Sequence, residues 1–282
     1  MPARGGRVLR QDRPVTDPDA LLDLAVATAG EAAALIARER AGAAADVDTK
    51  SSPTDVVTAV DRAAELLITR RLLDARPDDG LLGEEGADRA GTTGVRWVVD
   101  PVDGTVNLLY GLPAFSVSIA AEVDGQVVAG VVHNVLTGEQ YTATAGGGAF
   151  ATSPAQPEPV RLRGSSPVSL EQTLVLTGFG YRVEQRRAQG AVVAELLPVV
   201  RDIRRHGSSA LDLCTVAAGR VDAYYEADLN PWDHAAGALV AAEAGLVVTG
   251  LPGRAFADPL AIAVPESVAG PFVELLDRLH AV

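Results

Sequence analysis

Apolar residues recur at helical spacing in the first quarter of the chain, with charged residues on the opposite side of the pattern. This periodicity predicts an amphipathic helix over residues 17–43, capped at Thr16 or Asp17. The same spacing predicts a second helix over residues 56–74. Residues 1–16 carry glycine, proline and charge without periodicity, so we expect a disordered tail there.

The middle of the chain changes to short apolar runs separated by turn residues. Strands are therefore predicted over residues 81–83, 95–99, 115–123, 126–133 and 140–145. The consecutive strands among them indicate an antiparallel or mixed sheet. Residues 153–159 contain three prolines and are predicted to form a loop near a subdomain boundary.

In the second half, strand and helix patterns alternate to the end of the chain. Strands are predicted over 173–177, 202–204, 222–225, 246–248 and 261–263, and helices over 183–199, 208–218, 232–244 and 265–280. Such alternation is typical of α/β layering. We therefore predict an α/β (α+β) fold with an N-terminal α+β subdomain over 17–155 and a C-terminal α/β subdomain over 156–282.

Composition narrows the possible functions. The 282 residues include 24 basic and 37 acidic side chains, and the net charge of −13 argues against nucleic acid as a partner. The single cysteine, Cys214, cannot form an intrachain disulfide, which fits a reducing compartment. We find no signal peptide and no stretch long and apolar enough to span a membrane, so we expect a cytoplasmic protein without a membrane partner.

The segment with the most chemical information runs from Asp100 to Thr105 and reads Asp-Pro-Val-Asp-Gly-Thr. It follows a predicted buried strand, which Pro101 is expected to end because proline has no N–H to donate. Two carboxylates beside a glycine can bind a hard cation such as Mg²⁺, and the N–H groups that open the next helix can bind a phosphate oxygen. The alternative is an ordinary Asx turn, which the segment alone leaves equally open.

Acidic residues in two other segments add to this pattern. Glu84 and Glu85 follow a predicted strand end, where two carboxylates would repel each other without a cation, although a solvated loop is the alternative. Asp233 opens an alanine-rich helix, where a simple N-cap is the alternative. None of these positions decides the function alone.

Taken together, the motifs resemble the inositol monophosphatase family, and more narrowly its bacterial inositol-1-monophosphatase members. The resemblance covers nearly the whole chain and rests on Lys50–Asp55, Gly83–Glu85, Asp100–Thr105 with Asn107, Gly207–Ala210, Asp222–Glu226, Trp232–Gly237 and Glu243–Gly245. It implies a layered αβαβα sandwich of the inositol monophosphatase/fructose-1,6-bisphosphatase type. It also implies a homodimer, with the active site between the subdomains and the polyol pocket in the second.

The resemblance implies three groups of site residues. The ligands of two Mg²⁺ ions, with a weaker third ion near Glu84, are Glu84, Asp100 and the main-chain carbonyl of Val102 for one ion, and Asp100, Asp103 and Asp233 for the other. The catalytic residues are Glu84 together with Asp55 and Thr105, which orient the attacking water. The residues that bind the phosphate, the polyol or its leaving oxygen are Gly104, Thr105, Gly207, Ser208, Ser209, Glu226 and Asp233.

The implied activity is that of a Mg²⁺-dependent phosphomonoesterase that hydrolyses inositol-1-phosphate, or a similar small polyol phosphate, by metal-activated water. Enzymes on the same scaffold remain as alternatives, namely histidinol-phosphate, fructose-1,6-bisphosphate and adenosine 3′,5′-bisphosphate phosphatases. A transcription-associated regulator that keeps the fold is an alternative of a different class. The segment around Glu226, whose carboxylate would face the polyol, favours inositol phosphate.

Some residues depart from the family pattern or lie outside it. Val106–Tyr110 replaces a run in which many relatives have a second threonine and Phe-Val-His, so we expect changed packing there and intact metal binding. Ser208 and Ser209 stand where relatives often have threonine and alanine. Cys214 lies on an apolar helix face and is predicted to be core rather than nucleophile. His206 is predicted to be a surface or helix-flank histidine, with contact to the substrate as the alternative because it precedes Gly207.

Overall fold

The computed structural model describes residues 16–40, 47–49 and 56–280. The helices in these ranges are α1 Pro18–Glu39, α2 Ala59–Ala75, α3 Thr105–Tyr110, α4 Val183–Leu196, α5 Ser209–Ala217, α6 Pro231–Glu243 and α7 Glu266–His280. The strands are β1 Val47–Thr49, β2 Val56–Thr58, β3 Gly80–Gly83, β4 Asp88–Arg89, β5 Val95–Asp103, β6 Ser116–Val123, β7 Gln126–Asn134, β8 Gln140–Thr144, β9 Gly148–Ser153, β10 Gln156–Arg161, β11 Leu174–Thr177, β12 Asp202–Arg204, β13 Ala223–Ala227, β14 Val247–Thr249 and β15 Leu260–Val264.

Most of the strands belong to two large sheets. The first has eight strands in the order β10-β9-β8-β7-β6-β5-β3-β4, and all of its pairings are antiparallel except the parallel pair β3 and β5. The second has five strands in the order β12-β11-β13-β15-β14, in which β11 runs parallel to both of its neighbours. The short strands β1 and β2 pair separately.

Alternation of side chains along the strands divides the core into layers. On β5, Trp97 and Val99 pack with residues of α1 and α2, whereas Val98 between them packs with residues of α5 and α6. On β15, Ala263 packs with residues of α5 and α6, and Ile262 packs with residues of α4 and α7. The order is therefore α1 and α2, the eight-stranded sheet, α5 and α6, the five-stranded sheet, then α4 and α7. This arrangement confirms the predicted αβαβα sandwich.

Helix α1 corrects one expectation from composition. By length and by a mean hydropathy of 1.7 it is apolar enough to cross a membrane, so the expectation that no such stretch exists was wrong. In the structure, the apolar side of this helix lies in the core, where Leu21, Ala25 and Ile36 pack against the eight-stranded sheet. The helix begins after Asp17, whose side chain accepts a hydrogen bond from the main-chain N–H of Asp19, as predicted.

Two predicted boundaries were wrong because local pairing overrode the pattern. The second helix begins at Ala59 and not at residue 56, because Val56–Thr58 pairs with β1 and Thr58 caps the helix by accepting a hydrogen bond from the N–H of Val60. Pro101 does not end its strand. Strand β5 continues to Asp103 through an irregularity in its pairing with β6, and a bulge of this kind tolerates a proline.

The predicted loop at 153–159 was also wrong. Its residues form the turn and most of the edge strand of the β9–β10 hairpin, and β10 is fully exposed. Prolines are compatible with an edge strand because part of its N–H groups need no partner in the sheet. The predicted division after residue 155 falls in the turn of this hairpin. It would separate β9 from β10, although both strands belong to the eight-stranded sheet. The division into two subdomains stays a prediction.

The central helices pack closely because a glycine lies at their crossing. A Cβ atom added at Gly237 of α6 would lie 3.0 Å from the main-chain carbonyl oxygen of Ala210 and 3.0 Å from the Cβ of Leu213, both on α5. On the other side of α6, a Cβ at Gly130 of β7 would lie 3.0 Å from the Cα of Ala236. Helix α6 is thus held at short distance from both α5 and the eight-stranded sheet.

We expect Gly237→Val to destabilise the protein by about 1–3 kcal/mol, because the added atoms must push α5 and α6 apart. Thermal unfolding would show a Tm several degrees lower than that of the wild type. Gly190→Ala in α4 is the matched control, since a Cβ there meets nothing within 4 Å. It should stabilise the protein by about 0.5–1 kcal/mol. An unchanged Tm in the Gly237 variant would contradict the close packing.

Candidate active site

The carboxylates of the predicted site meet at one edge of the eight-stranded sheet. Strands β3 and β5 are parallel and in register, with Gly83 opposite Val99, so that the next residues, Glu84 and Asp100, emerge side by side. The main-chain N–H of Glu84 donates a hydrogen bond to the carbonyl of Val99. The bulge in β5 then carries Asp103 to the same edge. A short, local piece of sheet therefore places three of the predicted ligands.

Asp103 is held by the beginning of α5. Its Oδ2 accepts a hydrogen bond from Ser208 Oγ at 2.6 Å and from the main-chain N–H of Ala210 at 2.8 Å. Ser208 is also the N-cap of α5, where its hydroxyl accepts from the N–H of Leu211. Ser209 Oγ donates to the main-chain carbonyl of Asp233 at 2.9 Å. Helix α5 thus connects the carboxylate of the first sheet to the helix that carries Asp233.

Asp233 and Glu226 reach the site from the second half of the chain. Asp233 lies in the first turn of α6, and its Oδ2 accepts a hydrogen bond from the N–H of Asn230 at 2.6 Å. The N-capping interaction and a functional role are therefore compatible. Glu226 lies on β13, where its Oε2 accepts a hydrogen bond from Tyr224 OH at 2.9 Å. A Cβ at Gly178 would collide with this carboxyl group, so a glycine there leaves it room.

These residues surround one cavity of about 530 Å³. The predicted site residues that line it are Glu84, Asp100, Val102, Asp103, Gly104, Thr105, Gly207, Ser209, Glu226 and Asp233. Ser208 does not line the cavity and lies buried behind Asp103. Asp55, the remaining predicted catalytic residue, lies outside the described residues. The cavity wall also carries Arg182 and Arg205, two cationic side chains that the sequence analysis did not select.

Burial and mutual repulsion make the ionised form of this cluster unfavourable. Burial, followed by the charges of Glu84, Asp103 and Asp233, raises the pKa of Asp100 well above its usual range. Burial raises the pKa of Asp103 to about 7, although Ser208 and Ala210 lower it. Burial and the charge of Asp103 raise the pKa of Asp233 to about 8. A bound divalent cation would remove this penalty, because it stabilises the ionised carboxylates.

The donor set fits a hard cation. All of the side chains involved are carboxylates, and the main-chain carbonyl of Val102 adds a neutral oxygen, which is the chemistry that Mg²⁺ prefers. Within the described ranges, no three His, Cys, Asp or Glu side chains already form a group that could hold a metal ion. The assignment of ligands to individual ions therefore stays a prediction.

Gly104 has a conformation that other residues rarely adopt. Its φ is 99°, and a Cβ would lie 2.8 Å from the main-chain oxygen of Ala114 and 3.1 Å from that of Gly207. The backbone between the second aspartate and α3 can therefore approach the Gly207 loop closely. This geometry explains why glycine follows Asp103.

Three buried carboxylates near the site were missed by the sequence analysis. Asp61 and Glu65 lie on the buried face of α2 and hydrogen-bond to Thr105 and to the Glu85–Ala87 segment, respectively. Asp212 lies on α5, and burial raises its pKa to about 6. His206 Nδ1 lies 2.9 Å from Asp212 Oδ1, and this contact raises the pKa of His206. An acidic residue on an otherwise apolar helix face was the available signal for all three.

Comparison with known proteins agrees with these observations. The profile of the inositol monophosphatase family matches residues 17–281. An inositol-1-monophosphatase from Mycobacterium leprae is 46% identical over 95% of this chain and 97% of that protein. The Nus factor SuhB of Escherichia coli is 40% identical over 83% of this chain and 86% of its own length. The solved structure of Mycobacterium tuberculosis SuhB matches with a TM-score of 0.81 and 40% identity, over 94% of this chain and 98% of that one.

The raised pKa values predict a pH dependence of stability. Because the folded-state pKa of Asp103 and Asp233 lies above the ordinary value of 3.8, the metal-free protein should lose stability as the pH rises from about 4 to about 8. Mg²⁺ binds the ionised carboxylates, so its stabilising effect should grow over the same range. At 100 times its Kd it should add about 2.7 kcal/mol.

Calorimetry at pH 5 and pH 8, with a chelator or with Mg²⁺, measures this effect as a shift in Tm. Sodium chloride at the same ionic strength is the control for non-specific screening. If the Tm at pH 8 were the same with Mg²⁺ as with the chelator, the result would count against a cation site at this cluster.

Proposed function

The chain belongs to the inositol monophosphatase family and is a phosphatase, and from this premise we propose that it hydrolyses inositol-1-phosphate, or a similar small polyol phosphate, in a Mg²⁺-dependent reaction. The observation that carries the proposal is the cavity in which Glu84, Asp100, Asp103 and Asp233 meet Glu226. The first four are the implied cation ligands, and Glu226 is the implied contact to the polyol.

Two Mg²⁺ ions, with a weaker third, would be held by the carboxylates and by the main-chain carbonyl of Val102. When bound, these ions supply positive charge for the phosphoryl oxygens and lower the pKa of the attacking water. The chain holds the ligands in place by hydrogen bonds. Ser208 and Ala210 donate to Asp103, and the N–H of Asn230 donates to Asp233. Fixed groups stabilise the developing charge without reorganising during the reaction.

Thr105 is the described residue suited to orient the attacking water. Thr105 lines the cavity, and its Oγ1 donates to Asp61 Oδ1 at 2.8 Å, with the carbonyl of Val102 at 3.1 Å as a second acceptor. A hydroxyl whose proton is engaged can accept a hydrogen bond from water. Asp55 is proposed to share this role, and the N–H groups of Gly104 and Thr105 are proposed to bind phosphate.

The polyol is proposed to bind on the side of the cavity formed by the second sheet. Gly207 and Ser209 line it beside Glu226, whose carboxyl group Tyr224 holds in place. Burial raises the pKa of Glu226 to about 8, so in the metal-free protein at neutral pH this group can both donate to and accept from hydroxyl groups. Asp233 would lie near the leaving oxygen.

We also propose that the protein is a cytoplasmic homodimer. Tyr110 and Leu112, next to the cavity segment 100–105, are 80% and 50% exposed, and neighbouring exposed apolar side chains are typical of an interface. Light scattering of the purified protein measures the mass directly, and a monomer at micromolar concentration would contradict the proposal.

Asp103→Asn is expected to lower kcat/KM by about 1,000-fold, equivalent to about 4 kcal/mol of transition-state stabilisation, because it removes a cation ligand. The Tm of the metal-free protein should be retained, since the amide oxygen can still accept from Ser208 or Ala210. Asp277→Asn on the exposed side of α7 is the control for loss of one negative charge. Near wild-type activity of the Asp103 variant would refute the metal assignment.

The substrate is tested by phosphate release from inositol-1-phosphate, histidinol phosphate, fructose-1,6-bisphosphate and adenosine 3′,5′-bisphosphate, each with and without Mg²⁺. We expect strong Mg²⁺-dependent preference for inositol-1-phosphate. Preference for another ester would support the Mg²⁺-dependent hydrolysis but would show that the pocket binds a different alcohol.

A second candidate function is that of a transcription-associated regulator. It is supported by the 40% identity to a relative named as a Nus factor. The full set of described carboxylates argues that such a role would accompany catalysis and not replace it. Co-purification with RNA polymerase and its elongation factors would support this function, and finding none of them would contradict it.

A further inference from the structure

His206 and Asp212 form a charged pair that has no part in the proposed function. His206 Nδ1 lies 2.9 Å from Asp212 Oδ1, and the imidazole side chain is 38% exposed whereas the carboxylate side chain is 1% exposed. Neither residue lines the cavity of the candidate active site. The structure therefore does not place His206 against the substrate, and any influence of the pair on the reaction must pass through the residues that it holds.

Asp212 needs a positive partner because it is buried among groups of the same charge. After burial, the charge of Asp212 is the largest cause of the raised pKa of Glu226 on β13. Within the described ranges, no further hydrogen bond accompanies the His206 contact at either carboxylate oxygen. Burial raises the pKa of Asp212 to about 6, and His206, followed by the charge of Arg205, opposes that rise. His206 is therefore the main counter-charge of a carboxylate that would be costly to bury alone.

The main chain of His206 is held as well, by α3. Its carbonyl oxygen accepts a hydrogen bond from Asn107 Nδ2 at 2.7 Å. Its side chain pairs with Asp212 on α5. His206 is thus attached to two helices, and the next residue, Gly207, lines the cavity. The two attachments restrict the main chain at the point where it enters the proposed polyol side of the cavity.

Gly207 lies between the proposed phosphate and polyol contacts. A Cβ at Gly104, whose N–H is proposed to bind phosphate, would lie 3.1 Å from the main-chain oxygen of Gly207. Gly207 itself has a φ of 93°, and a Cβ there would collide with the guanidinium group of Arg205. The chain that follows is held separately, because Ser208 caps α5 and donates to Asp103. A shift of Gly207 would therefore change the wall beside the polyol and leave the cation ligands in place.

We propose that His206 is a positioning residue for the alcohol part of the substrate, because its pairing with Asp212 holds Gly207 in the wall of the polyol pocket. This inference rests on the proposed function and names a residue that sets substrate affinity. His206 touches neither the cations nor the reacting atoms, so its loss acts on KM and leaves kcat and the Mg²⁺ dissociation constant unchanged.

His206→Val and His206→Asn test this role as a pair. Valine removes the counter-charge and the donor, so we expect KM for inositol-1-phosphate to rise about tenfold while kcat stays within about twofold of wild type. In His206→Asn, the amide NH₂ group can lie near the position of Nδ1 and donate to Asp212, so KM should stay closer to wild type. A loss in kcat with unchanged KM, or an equal rise of KM in both variants, would overturn the proposal.

A double-mutant cycle with Asp212→Asn tests whether His206 acts through its partner. Asp212→Asn removes the charge and keeps an acceptor, so we expect a smaller rise in KM than in His206→Val. Adding His206→Val to Asp212→Asn should cost less than it costs in the wild type, because the paired charge is already absent. Additive effects on KM would overturn the assignment to the pair.

His133→Val is the matched control. His133 is also a partly buried histidine with one side-chain contact, from its Nδ1 to Gln140 Nε2 at 3.1 Å, and it does not line the cavity. Its substitution should leave KM, kcat and Mg²⁺ affinity unchanged. If it raised KM as much as His206→Val does, the effect of His206 would be general destabilisation and the proposal would fail.

Hydrogen–deuterium exchange of the amides in residues 205–209 tests the same role without turnover. We expect faster exchange there in His206→Val than in the wild type and in His133→Val, because the chain before Gly207 has lost one of its two attachments. Unchanged exchange would overturn the proposal. If the wild type released no phosphate from any ester, the proposed function would fail instead, and the exchange measurement would still decide whether His206 holds Gly207.

Discussion

The crowding of carboxylates away from water is the constraint on which this structure depends. Asp100, Asp103 and Asp233 each have a raised pKa, and burial is the largest cause for all three. Such a cluster would spread apart if the chain allowed it. The chain prevents this with donors: the N-terminus of α5 holds Asp103, and the N–H of Asn230 holds Asp233. Because the carboxylates cannot move apart, their repulsion favours the binding of cations.

The layered fold is what brings these groups together. Asp100 and Asp103 come from the eight-stranded sheet, Glu226 comes from the five-stranded sheet, and Asp233 comes from α6 between them. Helix α5 packs in the same central layer, and its first turn touches both Asp103 and the backbone of Asp233. The close crossing at Gly237 fixes the distance between α5 and α6. Packing in the centre of the molecule therefore determines geometry at the edge of the sheets.

Much of this could be predicted from local patterns. The repulsion expected between acidic residues at a strand end, and the Asp-Pro-Val-Asp-Gly-Thr motif, indicated the right edge of the sheet, because parallel neighbouring strands bring their ends together. The family resemblance supplied the partner residues Glu226 and Asp233, which no local pattern connects to residue 100. The alternation of strands and helices predicted the layers, and most element boundaries agree within a few residues.

Apart from the overlooked hydropathy of α1, the errors have a common physical cause, since each needed a tertiary partner to be recognised. Pro101 continues its strand because β6 accommodates a bulge, and residues 156–161 form a strand because β9 offers an edge. Asp61 and Glu65 were not selected from the sequence, because their partners, Thr105 and the Glu85–Ala87 segment, are distant along the chain.

A site built in this way is prepared before its cations arrive. The hydrogen bonds from Ser208, Ala210 and Asn230 hold Asp103 and Asp233 in place. The folded chain therefore keeps carboxylates of like charge close together. The unfavourable part of binding, the ordering of several side chains, is thus completed on folding and not on association. We therefore expect cation affinity to depend on hydrogen-bond donors that never touch the cation, so that substitutions in the central layer change it through Ser208, Ala210 and Asn230.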